Sequence, residues 1–177
     1  MRKEWPLYLI VTGLFLLAVG PTLFSEGMFL DGVIYASLAR NLSEEVGHFW
    51  DLEYTKTLFT HFREHPPLAI GLQSVFFKVF GDHIWVERLY SLLTYLFTGF
   101  IMIKIWKAIT GKYQGGWLPL LLWVLISQTW WACSNNMLEN TMMIFTTLSV
   151  YFLIQAYEKN KNIYLLMAGV GLFLAFL

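Results

Sequence analysis

Pro6 to Phe24 is a run of 19 residues without a charge. As a helix it would be about 28 Å long, close to the thickness of a bilayer's hydrocarbon core. Trp117–Ser134, Asn140–Tyr157 and Ile163–Leu177 are also uncharged. Val86–Trp106 is a fifth apolar segment, with Arg88 and Lys104 near its ends and long enough to snorkel. Only 14% of the chain is charged, against about 25% in an ordinary soluble domain. Mean hydropathy is +0.55. One core cannot bury this much apolar surface, so lipid is the expected solvent.

The expected architecture is all-α: a polytopic transmembrane helical bundle. Its spans fall at about 6–24, 86–106, 117–134, 140–157 and 163–177. The first loop, 25–85, is long and extracytoplasmic and carries short juxtamembrane helices at about 31–42 and 67–80. The N-terminal run reads as an uncleaved span. A signal peptide has a shorter apolar region and a small-residue cleavage site, and none is evident after Gly20-Pro21. A formal net charge of zero argues against a nucleic-acid partner, which would favour a basic face. Cys133 is the lone cysteine and forms no intrachain disulfide.

The lysines set the orientation. Arg2 and Lys3 place the start of the chain in the cytoplasm by the positive-inside rule. Lys104, Lys107 and Lys112 form one basic cluster, and Lys159 and Lys161 another. If both clusters are cytoplasmic, the spans between them make a hairpin whose tip, Asn135–Asn140, lies outside. Pro67–Phe80 is short for a span and is expected to dip into the membrane without crossing it. Asp31, Glu64, His65 and Glu139 then share one side. The implied location is the inner (plasma) membrane, multi-pass, with the active site on its outer face.

The stretch from Asp31 to Pro67 carries three of the four histidines and half of the twelve acids. Asp31 is a good N-cap for a helix whose apolar face is Ile34, Leu38 and Leu42, widened by Tyr35 and Ala39. That helix is expected on the membrane surface. The same Asp31, just after a span, is placed to act as a general base or charge stabiliser. His61, Glu64 and His65 in HFREH match the H-x-x-E-H pattern of inverted zinc proteases. That motif needs a helix, and Pro66-Pro67 push His65 out of helical geometry. A metal held by Glu64 and one histidine is the alternative use of the same residues. Glu139 at the mouth of a span is a functional candidate because an intramembrane carboxylate is costly unless it faces water or a partner. Arg40, Arg63 and Arg88 could each grip a phosphate in bidentate fashion or contact lipid headgroups.

DGVIYASLARNL (31–42), EHPPLAIGLQSVFFKVFG (64–81) and VERLYSLL (86–93) resemble, in order and spacing, the N-terminal part of the membrane-embedded GT-C glycosyltransferases. The nearest branch is that of bacterial relatives of protein O-mannosyltransferases and of the lipid A aminoarabinose transferase. The resemblance implies transfer of a sugar from a polyprenyl-phosphate donor to a lipid, glycan or protein acceptor on the non-cytoplasmic face, with membrane lipids as surroundings. It places catalytic acids at Asp31 and Glu139, a metal-ligand position at Glu64 with His65, and the donor phosphate beside His65, Arg63 and Arg88. A divalent metal ion is the only cofactor implied. Two departures stand out. Gly32 occupies a position often acidic in such enzymes, and His65 replaces a lysine, so a phosphate contact there depends on protonation. Relatives continue through further spans and a soluble C-terminal domain, so the chain is expected to be the N-terminal portion, lacking part of the donor cavity. The rival expectations are a membrane zinc protease and a non-catalytic truncated membrane protein.

Overall fold

The computed structural model describes residues 4–25 and 27–177. Arg2 and Lys3, used above for orientation, lie outside the described residues. Eight helices are described: α1 (Trp5–Leu23), α2 (Leu30–Ser43), α3 (Leu68–Phe80), α4 (Val86–Thr110), α5 (Trp117–Leu125), α6 (Ser127–Ser134), α7 (Glu139–Lys159) and α8 (Asn162–Phe176). A two-residue antiparallel pair, β1 (Gly47–His48) with β2 (Asp51–Leu52), lies between α2 and α3. The sequence pattern had not marked this hairpin.

Helices α1 and α4 are long and apolar enough to cross a membrane. Most of each apolar surface faces outward: Leu9, Leu16 and Leu17 on α1 and Leu96, Phe97 and Phe100 on α4 are all exposed. Water does not tolerate contiguous apolar patches of this kind, so this is a membrane protein. Helix α4 runs one turn past the expected end to Thr110, where Gly111 closes it at φ 75°, a left-handed C-cap that a glycine adopts without strain. The continuous span expected over 117–134 is instead two helices. Ile126 between them is extended (φ −81°, ψ 106°), and the Thr129 hydroxyl donates to the freed carbonyls of Trp123 (2.7 Å) and Ile126 (2.8 Å).

Lipid gives little hydrophobic drive for helices to associate, so polar and small contacts hold them together. Between α4 and α7 the Tyr90 and Thr141 hydroxyls lie 2.6 Å apart, and the Asn140 amide donates to the Ser91 hydroxyl at 2.8 Å. Ser91 in turn donates to the Cys133 carbonyl of α6 at 2.7 Å. Helix α8 packs on α7 through Ala168 and Gly171, with the Ser149 hydroxyl donating to the Ala168 carbonyl at 2.7 Å. Each such bond is worth about 0.6 kcal/mol in a membrane, so the bundle rests on their number.

Two apolar clusters result. One, within the spans, joins Val11, Phe15 and Val19 of α1 to Tyr95, Trp123 and Cys133. The other joins Tyr35, Leu38 and Ala39 of α2 to Leu52, Phe62, Ile70 and Phe77. The apolar face of α2 is therefore the expected one, but it rests on protein: Leu38 and Ala39 are fully buried against α3 and the loop. The expected cap is also corrected. Phe29 is the N-cap, and Asp31 lies in the first turn of α2.

Gly32 explains how α2 is seated. A Cβ there would stand within bond-forming distance of the Asn135 carbonyl oxygen. Gly32→Ala must push α2 off the turn between α6 and α7, at a cost of about 1–3 kcal/mol by the usual penalty of overpacking. The expected outcome is a clear drop in the thermal midpoint of the purified protein. Gly20→Ala, where nothing lies within 4 Å, should leave the midpoint unchanged.

Candidate active site

Three separate parts of the chain meet above the ends of the bundle. The first is the start of α2. Asp31 sits in its first turn, half-buried, where the helix N-terminus favours negative charge. Tyr35 follows one turn later on the same face. The second is the segment 61–67. It is not helical, and it is pinned by the Phe62 amide donating to the Leu52 carbonyl at 2.7 Å, with Phe62 buried beneath it. This leaves Glu64 and His65 exposed just ahead of α3. The third is the start of α7, where Glu139 stands in the first turn.

Tyr35 lies at the centre. It is only 4% exposed, and its ring meets that of His65 edge to face at 5.4 Å. Burial, and then the negative charges of Asp31, Glu139 and Glu64, push its hydroxyl up to about 12. The phenol therefore stays protonated throughout the physiological range and remains a hydrogen-bond donor among three acids. A cavity of about 260 Å³ opens beside it, lined by Tyr35, His65, Pro66, Leu138, Glu139 and Thr141 with the end of α8. A second, of about 440 Å³, shares His65 and Pro66 and adds Phe49, Trp50, Arg63 and Glu64. Asp31 lines neither cavity but stands one turn before Tyr35 on α2.

The turn after α6 fixes this arrangement. The Phe29 amide donates to the Asn135 Oδ1 at 2.7 Å. Asn136, at φ 52°, exchanges hydrogen bonds with the buried Gln73 of α3 (3.1 and 3.3 Å), and its Nδ2 also reaches the Gly32 carbonyl at 3.4 Å. Tyr35, Gln73, Asn135 and Asn136 were not singled out in the sequence. The N-N pair at a span end was the available signal, since asparagine tolerates left-handed turns.

Other expected residues have different partners. Arg63 pairs with Asp51, its Nε and Nη2 each 3.1 Å from Oδ1. His61 bonds Asp51 through Nδ1 at 3.0 Å. Arg88, expected beside a donor phosphate, is 7% exposed and spends its guanidinium elsewhere. It donates to the carbonyls of Thr22 (2.6 Å), Leu23 (2.8 Å), Ser25 (2.9 Å) and Gly27 (2.7 Å), tying the end of α1 to α4. Arg40 is paired with Asp82. The zinc-protease geometry is absent: HFREH is not a helix, and His61 is held by Asp51. Among the described residues no three His, Cys, Asp or Glu side chains stand close enough to hold a metal. Glu64 and His65 form an incomplete ligand set, so a metal there would need donors from elsewhere.

The site thus belongs to a helical membrane protein that gathers acids and one neutral phenol at the ends of its helices. A family model described as dolichyl-phosphate-mannose-protein mannosyltransferase matches residues 64–177, more than half of the chain, and the protein belongs to that GT-C type family. The match takes in Glu64, His65 and Glu139, while Asp31 lies before it. No curated protein and no solved structure matches the chain.

The Asp51 cluster gives a pH prediction. The hydrogen bond from His61, then that from Arg63, holds the Asp51 carboxyl below its ordinary value of 3.8. A lowered value means that the ionised form favours the folded hairpin. That contribution is complete above the ordinary value and fades as pH falls below it. The protection of the Phe62 amide, its exchange relative to the intrinsic rate at each pH, should therefore fall on acidification below about pH 4, and Asp51→Asn should remove that pH dependence.

Proposed function

We propose that the protein is a membrane glycosyltransferase that moves a sugar from a polyprenyl-phosphate donor to a hydroxyl of a lipid, glycan or protein acceptor. The reaction takes place where α2, the 61–67 segment and α7 converge, on the non-cytoplasmic face of a multi-pass protein of the plasma membrane. The observation that carries this reading is the pair of adjoining cavities: Tyr35, His65 and Glu139, from three distant parts of the chain, line one, and Arg63, Glu64 and His65 line the other.

In the proposed step the acceptor oxygen attacks the anomeric carbon as the bond from that carbon to the phosphate oxygen breaks. The phosphate leaves with the electron pair, and the acceptor's proton passes to a carboxylate. Asp31 and Glu139 are the candidate acceptors of that proton. Where the acceptor is itself a phosphate no strong base is needed, and Asp31 then orients it. Tyr35, protonated at every working pH, offers its hydrogen to an oxygen of donor or acceptor without adding charge. His65, which lines both cavities, and Arg63, in the wall of the larger, are the candidate cations for the departing phosphate. Hydrogen-bond donors fixed in a low-dielectric site are worth more than the same groups in water. The apolar walls of the smaller cavity, Leu138 and Leu68 among them, supply that setting.

The test follows labelled sugar from a polyprenyl-phosphate donor in membranes containing the native full-length protein. Asp31→Asn should lower transfer by about 100-fold or more, as loss of a general base does, with the size-exclusion profile unchanged. Tyr35→Phe keeps the ring packing and should cost about tenfold, the order of one hydrogen bond to a developing charge. Undiminished turnover in Asp31→Asn would remove that residue from the mechanism. Donor lipid bound without any sugar transfer in the wild type would overturn the transferase reading.

A further inference from the structure

At the other ends of α4 and α7, far from the acids, lies a polar cavity of about 370 Å³. Its lining includes Lys104, Lys107, Tyr113, Gln155, Glu158 and Lys159. The cavity is built, because each wall is held in place. The 111–116 loop is fixed by the Trp106 Nε1 donating to the Gln114 carbonyl at 2.9 Å, and by the Gly115 amide donating to Glu4 Oε2 at 2.9 Å. Tyr113 is thereby set over the lysines. Lys104 Nζ donates to its hydroxyl at 3.2 Å, and Lys107 Nζ lies 4.2 Å from its ring centroid. Gln155 is buried at the floor and donates to Glu158 Oε2 at 3.2 Å.

The charges in this cavity are not balanced. Among the described residues none of the three ammonium groups forms an ion pair with a carboxylate. Glu158, the one acid in the lining, is turned to Gln155. Hydrogen bonding from Lys104, then from Lys107, holds the pKa of the Tyr113 hydroxyl below its ordinary value. The carboxyl ends of α4 and α7 offset part of this charge, but a helix end acts as only about half a charge.

We infer that this cavity is a binding site for a phosphate group, held by Lys104, Lys107 and Lys159. At the end of membrane helices its natural source is the headgroup phosphate of an anionic phospholipid; a small soluble phosphate ester carries the same chemistry. Basic pockets between helices at a membrane surface bind headgroups in this way. The site shares no residue with the proposed transferase site, so either can fail without the other.

The experiment reads retained adducts by native mass spectrometry, on protein taken from nanodiscs of phosphatidylcholine with or without phosphatidylglycerol. A phosphatidylglycerol adduct is expected in the wild type. It should weaken about 100-fold in Lys104→Gln/Lys107→Gln/Lys159→Gln, given the usual contribution of each basic residue near a membrane surface. Lys112→Gln/Lys161→Gln removes charge from the same end but not from the lining, and should leave it unchanged. Glu158→Gln, a single exposed change that does not threaten folding, should tighten it several-fold. If no lipid adduct forms but glycerol 3-phosphate raises the melting temperature, and the triple variant abolishes that rise, the phosphate is of soluble origin. Absence of both effects overturns the inference. So does an equal loss in the Lys112/Lys161 control, because the adduct would then report only the general field of that surface.

Discussion

The docking of the α6–α7 turn onto the start of α2 is the contact on which the candidate site depends. It needs a residue without a side chain at Gly32, because the Asn135 carbonyl occupies that space. It needs Asn136 to satisfy the Gln73 side chain, which the close approach cuts off from water, while Asn135 takes the Phe29 amide at its edge. A buried amide left unpaired would cost about 1–3 kcal/mol, so the network is stable only when complete. Glu139 begins α7 three residues after this turn, and Asp31 precedes Gly32. The same contact therefore sets the separation of the two candidate acids. A side chain at position 32 cannot be accommodated in this arrangement.

A second constraint is Arg88. A guanidinium near the bilayer boundary is costly without partners, and four carbonyls at the end of α1 and just past it provide them. A helix ends with carbonyls that lack partners, and those of α1 are met by a charge delivered from α4. The entry to the long loop is thereby fixed to the bundle. The far end of the loop is fixed by the Phe62–Leu52 bridge and the proline pair. Only between these two anchors do α2 and Tyr35 acquire a definite position.

The features legible in the sequence were those carried by local pattern. The uncharged run at Pro6–Phe24 and the i, i+4 face of α2 reappear within a residue or two of their expected places. So does the short helix after Pro67. Other features depend on partners distant in sequence. The break at Ile126 contains neither glycine nor proline, and its cause is a threonine hydroxyl three residues on that competes for helix carbonyls. Arg88 looked like a phosphate ligand because nothing local shows that α1 ends beside it. Tyr35 looked like part of an apolar face, which it is; its second role arises from acids 4, 29 and 104 positions away that only the fold assembles.

Helix α7 joins the two polar ends of the molecule. It begins with Glu139 at the acid cluster and ends with Lys159 at the lysine cavity. Its 21 residues set these about 30 Å apart, the thickness of the bilayer core. The chain's formal charge of zero is therefore a cancellation between opposite ends and not an absence of charge. The lysine end is the one expected to face the cytoplasm by the positive-inside rule. That polarity has a chemical consequence for the proposed transfer. A phosphate departing at the acid end is repelled by the carboxylates, so its charge has to be met by cations, and His65 and Arg63 in the cavity wall are the candidates. Tyr35, buried and neutral, adds a hydrogen-bond donor without adding to that repulsion.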